Sequence, residues 1–460
     1  MPGLALGIVY KDQLIYGKGY GFRNLDKKLP VEITTLFPIA SNTKLFTATA
    51  ACMLAAEGAL SLDKPVKNYM PFLNFSNDEL NAKVKLRDML SHRTGLPRYD
   101  GIRASSPSRK EVITKVSFMK PQLGIREGYI YTNMMFIAAG GVMENVTRKS
   151  WEEIVMQKIF QPLAMKKSCF SDQDMINSNN YSLGYFMQDS SNKLLPVTYT
   201  SSERLEPAGS IKSNIEEMSH WMIAQLNGGK YKGQQVVPEN SIKETLIPNS
   251  IADKEGKWDE LSNSLYCLGR SIQKYKGYKI ASHTGSVNGY YSNLTFIPGQ
   301  QLGIFIVYNG KPGGSFRSGI AFPVIDYLLG LSYTPWSQRY KKEFDASNAQ
   351  EKKVKDSIAA TQVKNTTPSH ILSAYTGTYS SPIYGSVSIE IQNGQLIFMF
   401  RNQRSILYHF HYDQYTTKEE NDLDNFRLNF LTNGKGEIDR ISMSVENDPP
   451  TDFVKENKQK

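Results

Sequence analysis

One segment of this 460-residue chain constrains its fold more than any other, because it is apolar on nearly every side. It runs from Leu45 to Ala56, and Gly58 follows it as a stop signal. A helix without a polar face has to be surrounded by protein. The sequence therefore predicts a large folded domain around a buried helix. The residues that open this helix are Ser-Asn-Thr-Lys, at positions 41–44.

Ser41 and Lys44 have a spacing that places two side chains on the same face of a helix. The lysine can therefore help to activate the serine hydroxyl as a nucleophile. The N-terminus of a helix also favours a developing anion, because its free N–H groups and its dipole point there. The same Ser-x-x-Lys spacing occurs at Ser61, Ser190 and Ser271, but the sequence predicts no buried helix after any of these serines. A plain helix cap is the alternative role for Ser41.

Two triplets further along the chain supply the remaining groups of a candidate site. Tyr-Thr-Asn at residues 131–133 precedes another apolar run that predicts a buried helix. His-Thr-Gly at 283–285 ends a predicted strand, and two more predicted strands follow it. A second Tyr-x-Asn, at 291–293, lies on the strand predicted next to this one. We therefore favour the first Tyr-x-Asn triplet for the site.

The order of the three motifs makes the chain resemble the β-lactamase-related serine hydrolases, which include DD-peptidases, class C β-lactamases and related esterases. Residues 1–9 and 17–21 resemble the opening hairpin of that superfamily. Residues 90–97 resemble its loop after the nucleophile helix, and residues 207–210 resemble its segment leading back to the sheet. The resemblance covers roughly residues 1–335.

The resemblance implies an α/β domain of two lobes over residues 1–335. One lobe is an antiparallel sheet flanked by helices, the other is mostly helical, and the active site is expected where they meet. Residues 336–370 are charged and predict a helical linker. From 371 to 460, short alternating strands separated by Asn-Gly turns predict an all-β barrel or sandwich. This part resembles the lipocalin-like domain that follows the hydrolase in one branch of the superfamily.

The resemblance also assigns a role to each motif residue. Ser41 is the nucleophile, and Lys44 and Tyr131 together take up its proton. Which of the two is the base stays open, because closely coupled groups titrate as a unit. Asn133 is expected to hydrogen-bond Lys44 and the amide of the substrate.

The third motif is expected to bind the substrate and the oxyanion. Ser286 and Ser41 would donate their backbone N–H groups to the oxyanion, with Thr284 and Gly285 beside it. His283 stands where the β-lactamases and DD-peptidases have lysine, a cation for the substrate carboxylate. Histidine is mostly neutral at pH 7, so carboxylate anchoring is expected to weaken. A purely structural histidine at the strand end is the alternative.

We therefore expect a serine hydrolase that forms a Ser41 acyl-enzyme with small peptide or ester substrates and needs no cofactor. A β-lactamase, and a catalytically inactive penicillin-binding or scaffold protein, are the alternatives. The net charge of +10 is spread along the chain, and we identify no nucleic-acid-binding module. The expected partners are a small-molecule or peptide substrate and, through the C-terminal domain, a second copy of the chain.

Cysteines and apolar runs bear on metal binding and location. Cys52, Cys169 and Cys267 lie in apolar stretches without metal-binding spacing, so neither a disulfide framework nor a metal site is predicted. His409 and His411 share one face of a predicted strand and are a weak alternative for metal binding.

No apolar run reaches about 18 residues, and we see no signal peptide. The cytoplasm is the default expectation, and a secreted or periplasmic protein would require a trimmed N-terminus.

Overall fold

The chain forms two compact units in the computed structural model. The model describes residues 1–104, 106, 108–188, 193–197, 206–287, 289–310, 316–401, 403–417, 426–446 and 448–456. The first unit comprises Met1–Leu96 and Lys120–Phe344, and the second comprises Pro97–Met119 and Asp345–Lys460. The second unit therefore includes a segment from the middle of the chain. The domain boundaries given above stay a prediction.

The first unit is built on an antiparallel sheet whose strands come from both ends of the unit. Its strands are β1 (Gly3–Tyr10), β2 (Gln13–Asn24), β3 (Leu29–Pro30), β4 (Phe37–Pro38), β5 (Tyr185–Gln188), β6 (Lys193–Pro196), β7 (Lys212–Ser213), β8 (Lys230–Tyr231), β9 (Gln234–Gln235), β10 (Ser250–Asp253), β11 (Ser264–Tyr266), β12 (Ser271–Tyr275), β13 (Tyr278–Val287), β14 (Tyr290–Ile297) and β15 (Leu302–Asn309). Nine of them form the main sheet, in the order β10-β11-β12-β13-β14-β15-β1-β2-β3. The others described form the two-stranded pairs β4-β7, β5-β6 and β8-β9.

Helices cover both faces of this sheet and fill the chain between its two halves. The helices in the described ranges are α1 (Thr43–Ala56), α2 (Asp78–Lys83), α3 (Leu86–Leu90), α4 (Gly101–Ala104), α5 (Arg109–Lys115), α6 (Asn133–Thr147), α7 (Trp151–Val155), α8 (Asp172–Asn177), α9 (Ile215–Leu226), α10 (Glu239–Glu244), α11 (Phe316–Leu328) and α12 (Trp336–Ala360). None of these helices combines the length and the apolar character needed to cross a membrane.

The core of the first unit explains why the central strands are apolar along their whole length. Every residue of β15, and all but the last residue of β1, is buried. Phe322 of α11 and Trp336 of α12 join the core on one face of the sheet. On the other face α9 approaches closely, since a Cβ at Gly7 would lie 2.7 Å from Ile215 Cγ2. Strands that are covered on both faces cannot alternate apolar and polar residues.

The predicted buried helix is α1, in which every residue from Thr43 to Leu54 is buried. It is surrounded by protein in the way its sequence requires, and α6 is buried from Asn133 to Met143. The large antiparallel sheet, its flanking helices and the first-unit helices α2, α3 and α6 to α8 agree with the predicted fold class. That prediction is confirmed.

The second unit contains an antiparallel sheet that closes on itself. Its strands are β16 (Gly377–Ser381), β17 (Gly385–Gln392), β18 (Gln395–Phe400), β19 (Gln403–Ile406), β20 (Tyr408–His411), β21 (Gln414–Thr416), β22 (Arg427–Thr432), β23 (Ile438–Met443) and β24 (Thr451–Lys455). The order runs from β19 at one end to β20 at the other. Only Leu407 separates β19 from β20 in the chain, so the first and last strands of the sheet are two halves of one bent strand. Of the predicted barrel or sandwich, the barrel is therefore found.

The segment Pro97–Met119 is attached to this barrel by a buried carboxylate. Asp448 accepts hydrogen bonds of 3.0 Å from the N–H groups of Asp100 and Gly101, and one of 2.9 Å from Tyr384 Oη. A buried carboxylate is tolerated where several donors satisfy it. These bonds explain why a segment so far from the barrel in sequence belongs to the same compact unit.

Candidate active site

A sharp turn between β4 and α1 brings Ser41 to the start of the buried helix. Ala40 has a φ of 49°, in the left-handed region that non-glycine residues seldom adopt. Residues Ala40–Asn42 form one turn of 3₁₀-helix, after which α1 begins. The Ser41 side chain is only partly buried, whereas its neighbour Asn42 is fully buried. Strained backbone of this kind is common beside reacting groups.

Lys44 lies one helical turn after Ser41 and is completely buried. Its Nζ is 3.0 Å from Ser41 Oγ, 2.7 Å from Asn133 Oδ1 and 2.7 Å from the carbonyl oxygen of Ala208. A lysine ammonium group has three N–H donors. Two of them point to Asn133 and Ala208, so the third points toward Ser41. Lys44 is therefore oriented to exchange a proton with Ser41 Oγ.

Tyr131 approaches Ser41 from the segment just before α6. Its Oη lies 2.8 Å from Ser41 Oγ, and Lys44 Nζ lies 4.8 Å from the centre of its ring. The serine hydroxyl thus has an amine and a phenol within hydrogen-bonding distance at the same time. Ser41, Lys44, Tyr131 and Asn133 are brought together, as the sequence analysis expected. Their catalytic roles remain a prediction.

His283 lies on β13 and is held by one hydrogen bond at each ring nitrogen. Nδ1 is 2.6 Å from the carbonyl oxygen of Thr284, and Nε2 is 3.0 Å from Tyr266 Oη. Because a carbonyl can only accept, Nδ1 carries the proton and Nε2 accepts from the tyrosine. Burial, and then the charge of Lys44, lower the pKa of His283 from 6.5 to about 3. His283 is therefore neutral and cannot replace a permanent cation.

The low pKa of His283 predicts how its replacement changes stability with pH. Between pH 6.5 and about 3 the unfolded chain binds a proton that the folded chain excludes. The contribution of neutral His283 to the free energy of unfolding is therefore fully present above pH 6.5 and is lost as the pH falls toward 3. In the His283→Gln variant, the free energy of unfolding should depend on pH less steeply, by up to about 1.4 kcal/mol per pH unit.

Urea unfolding of the wild type and the variant from pH 7 to pH 4 measures this difference. Equal slopes for wild type and His283→Gln would show that His283 is not kept neutral by burial.

The rest of the third motif lies against the turn that carries Ser41. A Cβ at Gly285 would lie 2.3 Å from the Ile39 carbonyl oxygen and 2.4 Å from Ser292 Oγ, so only glycine fits there. The side chains of Thr284 and Ser286, by contrast, are exposed. The pairing of β12 with β13 ends at Ser282 in the described residues, so the edge of β13 beyond it is open toward the site. Thr284, Gly285 and Ser286 therefore lie along an open strand edge next to the turn that carries Ser41, and their role in binding an oxyanion or substrate remains a prediction.

Arg317 contributes a buried cation that the sequence analysis missed. Its Nη1 donates to the carbonyl oxygen of Gly285, and it lies 3.2 Å from Ser286 Oγ and 3.4 Å from the carbonyl oxygen of Ser292. Burial lowers the pKa of this guanidinium, yet an arginine stays protonated at neutral pH. A single arginine near the start of a predicted helix gave no sequence signal for this position.

Two further groups were not singled out in the sequence. The Ala208 carbonyl oxygen, which helps to orient Lys44, lies in the 207–210 segment that was noted only for its family resemblance. Tyr266 is fully buried, and its bond to His283 links β11 to β13. Neither carries a motif, because one acts through its backbone and the other is a common core residue type.

The described residues contain no cluster of three His, Cys, Asp or Glu side chains that could hold a metal ion. His409 Nε2 is 2.8 Å from the carbonyl oxygen of Tyr412, and His411 Nδ1 accepts from the N–H of Val363 at 3.1 Å. Both histidines therefore have partners within the second unit.

Comparison with known proteins adds the following findings. A family model described as Beta-lactamase matches residues 1–324, and one described as a domain of unknown function, DUF3471, matches residues 361–460. Protein flp of Staphylococcus aureus (strain NCTC 8325 / PS 47) is 27% identical over 317 residues, which cover 67% of this chain. The match spans 60% of the length of that relative.

Two other similarities extend over more of the chain. Unguisins hydrolase ungD' of Aspergillus campestris (strain IBT 28561) is 24% identical over 428 residues, covering 89% of this chain and 76% of that protein. The octameric penicillin-binding protein homologue from Pyrococcus abyssi has a TM-score of 0.65 at 20% identity. The structural match covers 99% of this chain and 96% of the homologue. At this identity the similarity establishes the fold alone.

Proposed function

This chain belongs to the Beta-lactamase family, a superfamily of serine hydrolases, and on that premise we propose that Ser41 is its nucleophile. One observation carries the proposal: Ser41 Oγ lies 3.0 Å from Lys44 Nζ and 2.8 Å from Tyr131 Oη. A serine hydroxyl is a weak nucleophile until a neighbouring base accepts its proton. An amine and a phenol in direct contact with it meet that requirement.

In the proposed mechanism, Ser41 Oγ attacks the carbonyl carbon of the substrate while its proton passes to the Lys44–Tyr131 pair. Backbone N–H groups of Ser41 and Ser286 stabilise the oxyanion. Tyr131 Oη then protonates the leaving group, which departs and leaves an acyl group on Ser41. Water, deprotonated by the same pair, attacks the ester and releases the acid. Asn133 keeps Lys44 aligned through both steps.

For the substrate we propose a small peptide or ester, and we favour acyl donors that carry a carboxylate near the scissile bond. His283 is neutral, which argues against strong anchoring by that residue. The buried guanidinium of Arg317, however, lies behind Gly285 and Ser286 and attracts anions at the exposed Ser286 edge. The name of the Aspergillus relative, a hydrolase, supports hydrolysis over a purely binding role.

The same cation favours β-lactamase activity as a second candidate, because penicillins also carry a carboxylate. Incubation with a nitrophenyl ester, a D-alanyl-D-alanine peptide and benzylpenicillin, followed by intact-protein mass measurement, separates the candidates. We expect ester and peptide turnover together with a long-lived penicillin adduct. Rapid loss of that adduct with drug turnover would instead identify a β-lactamase. No turnover and no adduct with any reagent would leave an inactive binding protein.

We further propose that the chain forms a homo-oligomer through its second unit. The Pyrococcus abyssi homologue, whose fold covers both units of this chain, is octameric. Light scattering coupled to size-exclusion chromatography at micromolar concentration tests this directly. A mass equal to one chain, 51.9 kDa, would refute it.

A further inference from the structure

We propose that His92 is the residue that positions Tyr131, an inference that rests on the function proposed above. His92 accepts two hydrogen bonds from the segment that carries the phenol. Its carbonyl oxygen is 2.9 Å from the N–H of Ile130, and its Nδ1 is 3.2 Å from the N–H of Thr132. These are the residues on either side of Tyr131. One residue thus fixes the backbone both before and after the phenol.

The imidazole ring also packs directly against the tyrosine it would position. The ring centres of His92 and Tyr131 are 4.3 Å apart, and that of Tyr266 lies 4.7 Å away from His92. Tyr266 in turn bonds His283. His92 therefore lies between Tyr131 and Tyr266, the hydrogen-bond partner of His283, and loss of its ring would loosen the Tyr131 side.

The backbone of His92 indicates that the side chain is kept for a purpose. Its φ is 58°, and the residue is completely buried. Left-handed backbone is unfavourable for a residue with a Cβ, and glycine would avoid that cost. A histidine at this position therefore bears a backbone cost that glycine would not. The hydrogen bond from Thr132 and the contact with Tyr131 are the compensation that the structure offers.

The chemistry of the bond defines the state of the ring. An N–H donor at Nδ1 requires an unprotonated nitrogen there, so neutral His92 carries its proton on Nε2. In the described residues, the titratable rings packed against it are those of tyrosines 129, 131 and 266. Nitrogen NMR of the neutral ring should show the Nε2–H tautomer.

Two variants separate positioning from folding, because both tolerate a left-handed backbone. His92→Asn keeps an acceptor, since Oδ1 and Nδ1 are each bonded to Cγ. His92→Gly removes the acceptor but relaxes the backbone. We expect His92→Gly to lower kcat about 10²-fold with little change in KM, since small displacements of a reacting group have effects of that size. His92→Asn should retain kcat within about threefold of the wild type, while both variants stay folded in thermal melts.

Hydrogen exchange at the amides of Ile130 and Thr132 supplies a readout that does not need activity. It should be faster in His92→Gly and near the wild-type rate in His92→Asn. If the wild-type protein lacks hydrolase activity, the proposed function fails, and exchange alone decides the positioning role. Equal kinetics and equal exchange in the two variants would overturn the assignment of His92.

Discussion

Replacing Ser41 with alanine is expected to lower kcat/KM for an ester substrate about 10⁵- to 10⁶-fold, as in other enzymes that lose their serine nucleophile. Without Oγ the amine and the phenol have no hydroxyl to activate, and no acyl-enzyme can form. What remains comes from binding and from the oxyanion donors. Steady-state hydrolysis, together with intact-protein mass after incubation with substrate, measures both losses.

Ser61→Ala is the matched control for this experiment. Ser61 has a lysine three residues later, Lys64, but it lies in a turn, and its Oγ accepts a hydrogen bond from the N–H of Asp63. We expect this variant to retain activity within about twofold, because surface substitutions seldom matter. Retained turnover in Ser41→Ala would show that another nucleophile is used.

Replacing Lys44 with methionine has the second largest expected effect, a loss of about 10³- to 10⁴-fold in kcat. Methionine fills much of the same space, but it cannot exchange a proton with Ser41. It also removes the N–H groups that Asn133 Oδ1 and the carbonyl oxygen of Ala208 now accept from. Loss of the donor to a buried acceptor costs about 1–3 kcal/mol, so the variant should unfold at lower urea concentration as well.

The exposed Lys64 provides the corresponding control, since Lys64→Met changes the same residue type at the same spacing from a serine. It should alter neither turnover nor the urea midpoint. The kinetics of both variants are measured without urea, under conditions in which circular dichroism shows that they are folded. A folded Lys44→Met variant that keeps wild-type kcat would exclude Lys44 from proton transfer.

Local sequence could predict those helices and strands whose structure depends on residues close together in the chain. The run from Leu45 to Ala56 has no polar face, so its burial as α1 followed from composition alone. The strands around 265–310 and the alternating strands after 371 were likewise predicted from their patterns, whereas the two-lobed fold class was implied by the family resemblance. Ser41, Lys44, Tyr131 and Asn133 could be assigned to one site because the order of their motifs resembles that of the β-lactamase-related hydrolases.

Contacts between distant residues explain what could not be predicted. Arg317 reaches Gly285 and Ser286 through three-dimensional packing, and no spacing in the chain encodes that approach. The bonds of His92 to the N–H groups around Tyr131 depend on a left-handed backbone at a histidine, which has no clear signature. The choice of a barrel over a sandwich depends on the bend at Leu407 between β19 and β20, and on their pairing with different neighbours.

For His283, burial extends to acid pH a prediction that residue type supports only near neutral pH. An unperturbed histidine titrates near neutral pH, so the sequence predicts a side chain that is mostly neutral at pH 7. Burial and the nearby Lys44 charge lower its pKa to about 3, so it stays neutral well into the acid range. Arg317, by contrast, keeps its positive charge against Gly285 and Ser286.

The most direct test of an activated Ser41 is the second-order rate constant for labelling by a fluorophosphonate. Intact-protein mass follows the reaction, and peptide mapping locates the label, in wild type, Lys44→Met, Tyr131→Phe and the double variant. We expect rapid labelling of Ser41 in the wild type and a loss of at least about 10² in each single variant. The double variant should be no slower than the worse single one, because the two groups act as a unit. Labelling of Ser41 at the wild-type rate in a folded Lys44→Met or Tyr131→Phe variant would contradict this mechanism.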